Sequence, residues 1–517
     1  MSWRWLGVIY VLAVALRLYS FGGIAGADDV SIAGIALDTI ESGFKLPNSH
    51  YALRIALTLP LAGVFSVFGV GDWQFALLPF VSNLAGIGLA FAIGRRLCGD
   101  AAGLLAALLL ALFPLNVVFA TQLFPDGPLG VAVAASFYLA LRIKDSDHPY
   151  AWAAASGLMW GLAYFIKIEA IFVGAVYLAM AAWDRRNWRP VFLVILVFGA
   201  VVAAENLIYL LRTGIWLYQI HVIRGIKGVL STEYAGGQLW VFPKSWFVTF
   251  YDFGLYYYFL AAAAVWTVAT RQRRLYLPLV WVGIYLLWLQ FGANPFSAHY
   301  SPKSHLDRYC DMVSIPVAIL VAGLLVRLAA RSRLAAYGLA LGAIAASALF
   351  FIVFNTLSLE RQQATKRGVE YALAHDMMPL YLDATSYDIA AVMLWSNPAR
   401  ERIYSIQHHD FATGATEVLD PGSLRGYLLL NRDFMAFKAH RYFVEGFDIA
   451  ALKAKFPVAY SVDNPGRALA YDEARFMHWV ASFVPVAALR DQVQESTEAL
   501  LAPEDVLIFR LAPPSSR

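Results

Sequence analysis

Long apolar runs separated by short polar segments form the dominant pattern of residues 1–357. A transmembrane helix needs about 17 to 25 mainly apolar residues. One further apolar run, residues 53–70, contains Pro60, and we interpret it as a re-entrant or interfacial helix. The other eleven runs meet or approach the spanning length, and they predict transmembrane helices at residues 6–19, 75–93, 101–120, 127–141, 150–166, 168–183, 191–211, 255–270, 275–291, 312–330 and 334–357.

Lysine and arginine cluster in every second connection between these runs, starting with Arg4 before the first run. The clusters lie at residues 95–96, 142–144, 185–189, 271–274 and 327–333. Because cytoplasmic loops of membrane proteins are enriched in basic residues, these connections are predicted to lie inside. If residues 53–70 crossed the membrane, every later basic cluster would lie on the opposite side. We therefore predict that this run does not cross. The long loops predicted to face outward are 20–74, 212–254 and 292–311.

The tail, residues 358–517, has dispersed charges and no spanning run. Its alternating β-rich and helical patterns predict a separate soluble α/β domain, which the topology places on the periplasmic side. The β-rich stretches lie at 379–383, 402–406, 426–431, 458–462 and 506–511, and the clearest helical patterns at 386–395 and 472–480. His408, His409 and Asp410 form a polar cluster that we interpret as surface residues, because no further ligand follows at a metal-site spacing.

The composition changes this picture little. Hydrophobic residues make up 60% of the 517 residues and the mean hydropathy is +0.59, well above the range of soluble domains, where about 45–50% of residues are apolar. The net charge of +4 is small, and the basic residues are dispersed among apolar runs, so no nucleic-acid partner is predicted. Cys98 and Cys310 show no disulfide or metal-ligand spacing. The protein is therefore predicted to be a multi-pass membrane protein.

Three aspartates are candidate catalytic residues on the outer side. Asp28 and Asp29 open the first outer loop, and Asp126 directly precedes the fourth predicted span. Each could simply cap a helix, and Asp126 before Gly-Pro is a good helix start. One carboxylate suffices for a cap, so the Asp28–Asp29 pair favours a functional role for at least one of them. We expect an uncleaved first helix, because signal-peptide cleavage near Ala27 would leave this pair at a free end.

Five outward cations break the predominance of basic residues inside. Together they could surround an anionic head group, because lysine and arginine form charge-assisted hydrogen bonds with phosphate. Lys167 has an alternative interpretation as a snorkelling residue in a tight turn with Glu169. The candidate phosphate-binding residues are Lys167, Arg224, Lys227, Lys303 and Arg308.

Several short segments, in order and with similar spacing, resemble the GT-C glycosyltransferases. The closest groups are the protein O-mannosyltransferases and the 4-amino-4-deoxy-L-arabinose transferases of lipid A, and the resemblance covers about residues 1–330. It departs from the family pattern at 48–52, where Asn-Ser-His-Tyr-Ala replaces a His-Pro-Pro-Leu-like stretch, and after Arg-Tyr, where Cys310 and Asp311 interrupt the apolar run. The segments are Ala-Asp-Asp-Val at 27–30, Gly-Arg-Arg-Leu at 94–97, Asp-Gly-Pro-Leu at 126–129, Gly-Leu-Ala-Tyr-Phe-Ile-Lys at 161–167 and Asp-Arg-Tyr at 307–309.

The resemblance implies a polytopic α-helical protein of the bacterial inner membrane that carries a C-terminal periplasmic domain. It further implies inverting transfer of a sugar from a polyprenyl-phosphate-linked donor to an envelope acceptor, which is lipid A or LPS, a polysaccharide or a protein. Asp28 maps to the catalytic base, and Asp29 or Asp126 would orient the acceptor or the sugar. Lys167 and Arg308 would contact the donor phosphate. No metal site is predicted, although these carboxylates leave a divalent cation open as a cofactor.

A transporter or flippase for a lipid-linked sugar is the alternative. Such proteins carry ionisable groups within their spans and often contain inverted repeats. Glu205 is the most obvious charge inside a later apolar run, and the sequence shows no internal repeat. The pattern therefore favours the enzyme.

The alternation of basic clusters generates a testable topology. A reporter fused after Arg274 should read cytoplasmic, and one fused after Leu357 should read periplasmic, because three predicted spans, an odd number, separate the two points. Paired alkaline phosphatase and fluorescent-protein fusions measure both sides. The same side for both fusion points would disprove the eleven-span topology.

Overall fold

All eleven predicted spans are helical in the computed structural model, which describes residues 2–183, 187–223, 240–292, 306–332, 334–409, 416–432, 449–463, 468–501 and 504–511. The helices before the last predicted span are α1 Ser2–Tyr19, α2 Asp28–Ser42, α3 Ile55–Phe68, α4 Asp72–Cys98, α5 Asp100–Leu112, α6 Pro114–Val118, α7 Asp126–Arg142, α8 Pro149–Ile166, α9 Gly174–Trp183, α10 Trp188–Thr213, α11 Val241–Lys244, α12 Tyr256–Ala269, α13 Tyr276–Phe291 and α14 Ser314–Arg331.

Six helices within the described residues are long and apolar enough to cross a membrane, and a bent pair makes a seventh. The bent pair is α5 with the segment from Pro114 to Thr121, which meet at 62°. Pro114 has no N–H group to continue the α5 ladder and instead begins α6. The helix α3, which covers the run predicted not to cross, has only 14 residues. The multi-pass helical architecture is confirmed, and the count of eleven crossings stays a prediction.

The last predicted span is part of a single helix of 41 residues, α15, which runs from Leu334 to Ala374. It crosses the predicted domain boundary after residue 357 without a break. At about 1.5 Å per residue it is roughly 60 Å long. The division into two domains therefore remains a prediction, and the membrane part and the C-terminal part share a continuous helix.

A mixed five-stranded sheet forms the centre of the C-terminal part, in the order β2-β1-β5-β7-β6. The strand β1 is parallel to β2 and β5, whereas β7 is antiparallel to β5 and β6. All five predicted β-rich stretches are strands, so the small α/β arrangement is confirmed. The elements are β1 Leu380–Leu382, α16 Ala384–Met393, β2 Ile403–Ser405, β3 Gln407–His409, β4 Thr416–Val418, β5 Tyr427–Asn431, α17 Ile449–Lys455, β6 Val458–Asp463, α18 Ala468–Ala481, α19 Ala487–Leu500 and β7 Glu504–Arg510.

The sequence analysis missed the β3–β4 hairpin, which includes the backbone of His408 and His409. Asp410, the third member of that polar cluster, lies outside the described residues.

The C-terminal part packs directly on the first outer loop. Ile389 and Val392 of α16 belong to the same buried core as Ile32 and Ala33 of α2. Gly26, with φ of 77°, makes this approach close, because a Cβ there would lie 2.7 Å from the Ile389 side chain. Both its backbone conformation and its surroundings therefore require glycine. This contact places α16 against the helix that begins at Asp28.

Candidate active site

The backbone before α2 is shaped by Asp29, not by a capping side chain. The residue at the N-cap position is Ala27. The Asp29 carboxylate is fully buried and accepts hydrogen bonds from the N–H groups of Ala25 and Ala27, each at 2.6 Å. Burial raises the pKa of Asp29 above its ordinary value, although these backbone N–H groups oppose the shift. Its contacts give Asp29 a structural role in closing the loop.

Asp28 points instead into a cluster of polar side chains. Its Oδ2 atom lies 2.7 Å from Nη2 of Arg308 and 3.9 Å from Nη1 of Arg54. Its Oδ1 atom accepts a hydrogen bond of 2.9 Å from the Tyr51 hydroxyl. Burial alone would raise the pKa of Asp28, but the charges of Arg308 and Arg54 and the Tyr51 hydrogen bond outweigh it, so the pKa lies below its ordinary value.

Asp126, the first residue of α7, forms the second ion pair of the site. Its Oδ1 atom lies 2.7 Å from Nζ of Lys167, the residue that ends α8. Glu169 lies 3.9 Å from the same Nζ atom, and the ammonium group stands 4.2 Å from the centre of the Tyr309 ring. Burial alone would lower the pKa of Lys167, but the charges of Asp126 and Glu169 raise it. The start of α7 has no side-chain capping hydrogen bond, and Lys167 pairs with a buried carboxylate inside the protein.

Arg308 joins the two ion pairs. Its guanidinium group binds Asp28, stands 4.0 Å from Asp126 through Nε, and lies 4.2 Å from the centre of the Phe124 ring. The site is thus an alternating chain of anions and cations from four separate segments. Its members, in order of contact, are Arg54, Asp28, Arg308, Asp126, Lys167 and Glu169.

Two guanidinium atoms in this chain are buried and lack a hydrogen-bond acceptor among the described residues, namely Nε of Arg308 and Nη1 of Arg54. Oδ2 of Asp126 is likewise buried and without a donor. A buried polar group without a partner costs about 1–3 kcal/mol. Unused N–H groups on two arginines beside the same carboxylate are suited to an anionic ligand with several acceptor oxygens.

A polar network inside the helix bundle fixes the segment that carries Arg308. Asp311 accepts hydrogen bonds from Ser314 at 2.6 Å and from Asn116 at 3.1 Å. Asn116 in turn accepts one of 2.9 Å from Arg17, which is fully buried. A Cβ at Gly127 would lie 2.8 Å from Oδ2 of Asp311, so this glycine lets the segment approach the start of α7.

The outer extension of α15 holds the loop in front of Asp28. Lys366, which is 3% exposed, donates to the carbonyl of Gly22 at 3.0 Å and to Asp72 at 2.6 Å. Asp72 also accepts a hydrogen bond of 2.8 Å from the N–H of Ile24. Gln363 donates to the same Gly22 carbonyl at 3.0 Å. Sequence reasoning did not find this anchor, because its members lie far apart in the chain.

The structure brings together four of the predicted site residues, Asp28, Asp126, Lys167 and Arg308. Three others, Arg224, Lys227 and Lys303, lie outside the described residues. Tyr51 and Arg54 were missed, because they lie at and just beyond the stretch where the sequence departs from the family pattern. In the described part of the chain, no group of three or more His, Cys, Asp or Glu side chains is placed to hold a metal ion.

Comparisons with known proteins concern the fold of the chain. A family model described as dolichyl-phosphate-mannose-protein mannosyltransferase matches residues 56–209. A search of curated proteins finds no match. Apo ArnT from Cupriavidus metallidurans superimposes with a TM-score of 0.58 at 15% identity, over 99% of both chains.

Two further solved structures match over most of their length. ArnT from Cupriavidus metallidurans bound to undecaprenyl phosphate gives a TM-score of 0.54 at 16% identity, over 89% of this chain and 96% of that chain. The archaeal oligosaccharyltransferase AglB from Archaeoglobus fulgidus, in complex with an inhibitory peptide and a dolichol-phosphate, gives 0.55 at 13% identity, over 99% of this chain and 88% of that chain. The structural matches show that this chain shares its overall fold with ArnT and AglB, which confirms the fold that the sequence resemblance implied.

The opposite pKa shifts of the two neighbouring aspartates predict opposite pH dependences of stability. The lowered pKa of Asp28 gives stability that is present above its unfolded pKa of about 3.9 and is lost as the pH falls through the folded pKa. The raised pKa of Asp29 instead removes stability as the pH rises from about 3.9 through its folded pKa.

As the pH is lowered from neutral to acid, the Tm of wild type minus that of Asp28→Asn should therefore decrease. The corresponding difference for Asp29→Asn should increase. Thermal unfolding of the purified proteins in detergent at a series of pH values measures both. Parallel changes for the two variants would contradict the assigned ion pair of Asp28.

Proposed function

We propose that this protein is an inverting glycosyltransferase of the bacterial inner membrane. It would move a sugar from a polyprenyl-phosphate-linked donor to an envelope acceptor at the periplasmic face, the acceptor being lipid A or LPS, a polysaccharide or a protein. The observation that carries the proposal is that Nε of Arg308 and Nη1 of Arg54 are buried without a hydrogen-bond acceptor among the described residues. Both arginines also form ion pairs with the Asp28 carboxylate. The GT-C fold and its matches to polyprenyl-phosphate-bound structures support it.

The leaving group determines what the site must supply. When the bond between the anomeric carbon and the phosphate oxygen breaks, its electron pair stays with the phosphate, which gains a negative charge. Arg308 and Lys167 would bind that charge, and Arg54 would add a third cation at the Asp28 end. Fixed cations in a water-poor site stabilise developing charge strongly. Arg224, Lys227 and Lys303 remain sequence-based candidates for the same phosphate.

Asp28 is the proposed base. The acceptor hydroxyl attacks the anomeric carbon from the face opposite the phosphate, which inverts the configuration, and passes its proton to the carboxylate. A carboxylate paired with Arg308 is a weak base. A donor phosphate that accepts hydrogen bonds from Arg308 would weaken that pair and bring a negative charge nearby. Both effects raise the pKa of Asp28, so donor binding would itself activate the base.

Asp126 would act on the reaction through Lys167. Its carboxylate fixes the ammonium group at 2.7 Å, between Glu169 and the Tyr309 ring. This arrangement keeps Lys167 protonated and directed into the site. Asp29 would contribute by holding the backbone from which Asp28 projects.

Removal of the proposed base should abolish most of the activity. Asp28→Asn keeps the size of the side chain but cannot accept the proton, so transfer should fall about 10²-fold or more. The assay is transfer of labelled sugar from a polyprenyl-phosphate donor to envelope acceptors by reconstituted protein. Asp38→Asn is the matched control, because Asp38 is an exposed aspartate on the same helix. Transfer by Asp28→Asn at the wild-type rate would refute the mechanism.

The same preparation tests the transporter alternative. If the wild-type protein transfers no sugar but moves the lipid-linked donor across the bilayer of vesicles, the protein is a transporter.

Phosphate binding by Lys167 is best tested without leaving Asp126 as an unpaired buried charge, which destabilises a protein. Asp126→Asn should retain the lysine for the phosphate, whereas Asp126→Asn/Lys167→Met removes it. Loss of one charge-assisted hydrogen bond, about 1.5–3 kcal/mol, should raise the donor KM of the double variant about 10-fold or more above that of the single variant. Initial rates at varied donor concentration measure this. Lys144→Met, an exposed lysine in an inner cluster, is the control. Equal donor KM values for the single and double variants would exclude Lys167 from phosphate binding.

A further inference from the structure

The helix α18 of the C-terminal part has two different faces. Its inner face carries small residues, Ala470 and Ala474, which pack in one cluster with Leu500 of α19 and with α15. The α15 side chains in that cluster are Phe351, Phe354 and Leu357. His478 continues the inward contacts with a hydrogen bond of 2.9 Å to Thr497 of α19. Contacts with its own protein therefore account for only one side of this helix.

The opposite side of α18 and the turn that follows it carry large apolar side chains in solvent. Phe476 is 54% exposed, Trp479 59% and Phe483 67%. Their rings form a continuous row, with centroids 6.0 Å apart for Phe476 and Trp479 and 4.9 Å apart for Trp479 and Phe483. Val480 and Val486 are exposed beside them. An exposed apolar cluster of this kind marks a contact surface, because water solvates it poorly.

The position of the aromatic row in the fold indicates that lipid covers it. The residues of α15 that hold α18, from Phe351 to Leu357, form the last two turns of the predicted transmembrane span. Phe250 and Tyr251, which lie in the predicted outer loop 212–254, pack into the same cluster. Ala470 and Ala474 thus attach α18 beside the end of the apolar run of α15, and the aromatic row follows on the next turns of α18.

The chemistry of the helix suits the boundary between lipid head groups and acyl chains. Tryptophan prefers this depth, where its ring is in an apolar region and its N–H group can reach water. Asp472, one turn before Phe476, and Arg475, directly before it, are exposed and provide polar side chains at the start of the aromatic row. An amphipathic helix of this pattern lies in the plane of the interface and does not cross it.

We propose that residues 476–486 form a membrane-seated surface, in which Phe476, Trp479 and Phe483 insert into the outer leaflet of the bilayer. The C-terminal part is then attached to the membrane at two places, the helix α15 and this surface. The two attachments restrict its rotation about α15 and hold α16 against α2. This inference does not depend on the proposed enzymatic activity.

Quenching by spin-labelled lipid tests the proposal in the full-length protein. Phe483→Cys and Trp479→Cys are labelled with a bimane fluorophore and placed in nanodiscs of phosphatidylethanolamine and phosphatidylglycerol. Some nanodiscs also contain a phospholipid with a nitroxide near the top of its acyl chain. Tyr404→Cys is the matched control, because Tyr404 is an exposed aromatic residue on the edge strand β2. Unsubstituted protein gives the background labelling of Cys98 and Cys310.

The nitroxide should quench the fluorophore at positions 479 and 483 several-fold more than at position 404. Equal quenching at the three positions would overturn the proposal. A second result would also overturn the proposal: a label at position 483 that is shielded from water but not quenched by the nitroxide, in a protein that native mass spectrometry shows to be dimeric. A second copy of the protein would then cover the row. Quenching at Val486→Cys should also decrease when Phe476→Ser and Trp479→Ser are added. Undiminished quenching there would exclude the aromatic row as the anchor.

Discussion

The ion pair between Arg308 and Asp28 is the interaction on which the geometry of the site depends. It joins residues 280 positions apart, and the Arg308 side chain is largely withdrawn from water. An unpaired charge in such surroundings costs several kcal/mol, so the first outer loop and the segment before α14 stabilise each other's position. Because the same guanidinium group also faces Asp126, the start of α7 is drawn into the arrangement. Arg308 and Lys167 are each held between two carboxylates, which keeps them charged and in place before any ligand binds.

The polar network around Asp311 extends this constraint into the bundle. Arg17 on α1 and Asn116 at the bend between α5 and α6 connect to the segment that carries Arg308. Buried polar groups in a membrane need partners inside the protein, because lipid offers none. The bend at Pro114 is therefore useful for the site, since it places a polar side chain at a depth where a straight helix would present only its apolar surface. The catalytic geometry is thus supported from below by satisfied hydrogen bonds.

Helices and strands could be predicted from the length of the apolar runs and the period of the hydrophobic residues. The contacts between individual side chains could not be predicted. Every apolar run became a helix because backbone groups in a membrane must bond within their own segment, and the strands of the C-terminal sheet followed from their β-branched and aromatic runs. The side of the membrane, together with the family resemblance, identified Asp28, Asp126, Lys167 and Arg308. The role of Asp29 depends on the backbone conformation of the loop before it, which turns its N–H groups toward the carboxylate. No pattern of residues in the sequence predicts that conformation. The continuity of α15 was also missed, because the change in composition after residue 357 resembles a domain boundary although the helical period persists.

The length of α15 makes the site sensitive to a property of its surroundings that no residue contacts directly. At roughly 60 Å, the helix is about twice as long as the hydrocarbon core of a bilayer, and Lys366 near its outer end is bonded to the loop that carries Asp28. Transmembrane helices adapt to a thinner or thicker bilayer by tilting. When the membrane-embedded half of a continuous helix tilts, the half outside the membrane moves sideways with it. A change in the thickness of the surrounding lipid should therefore displace the loop before Asp28, so that lipid composition acts mechanically on the site.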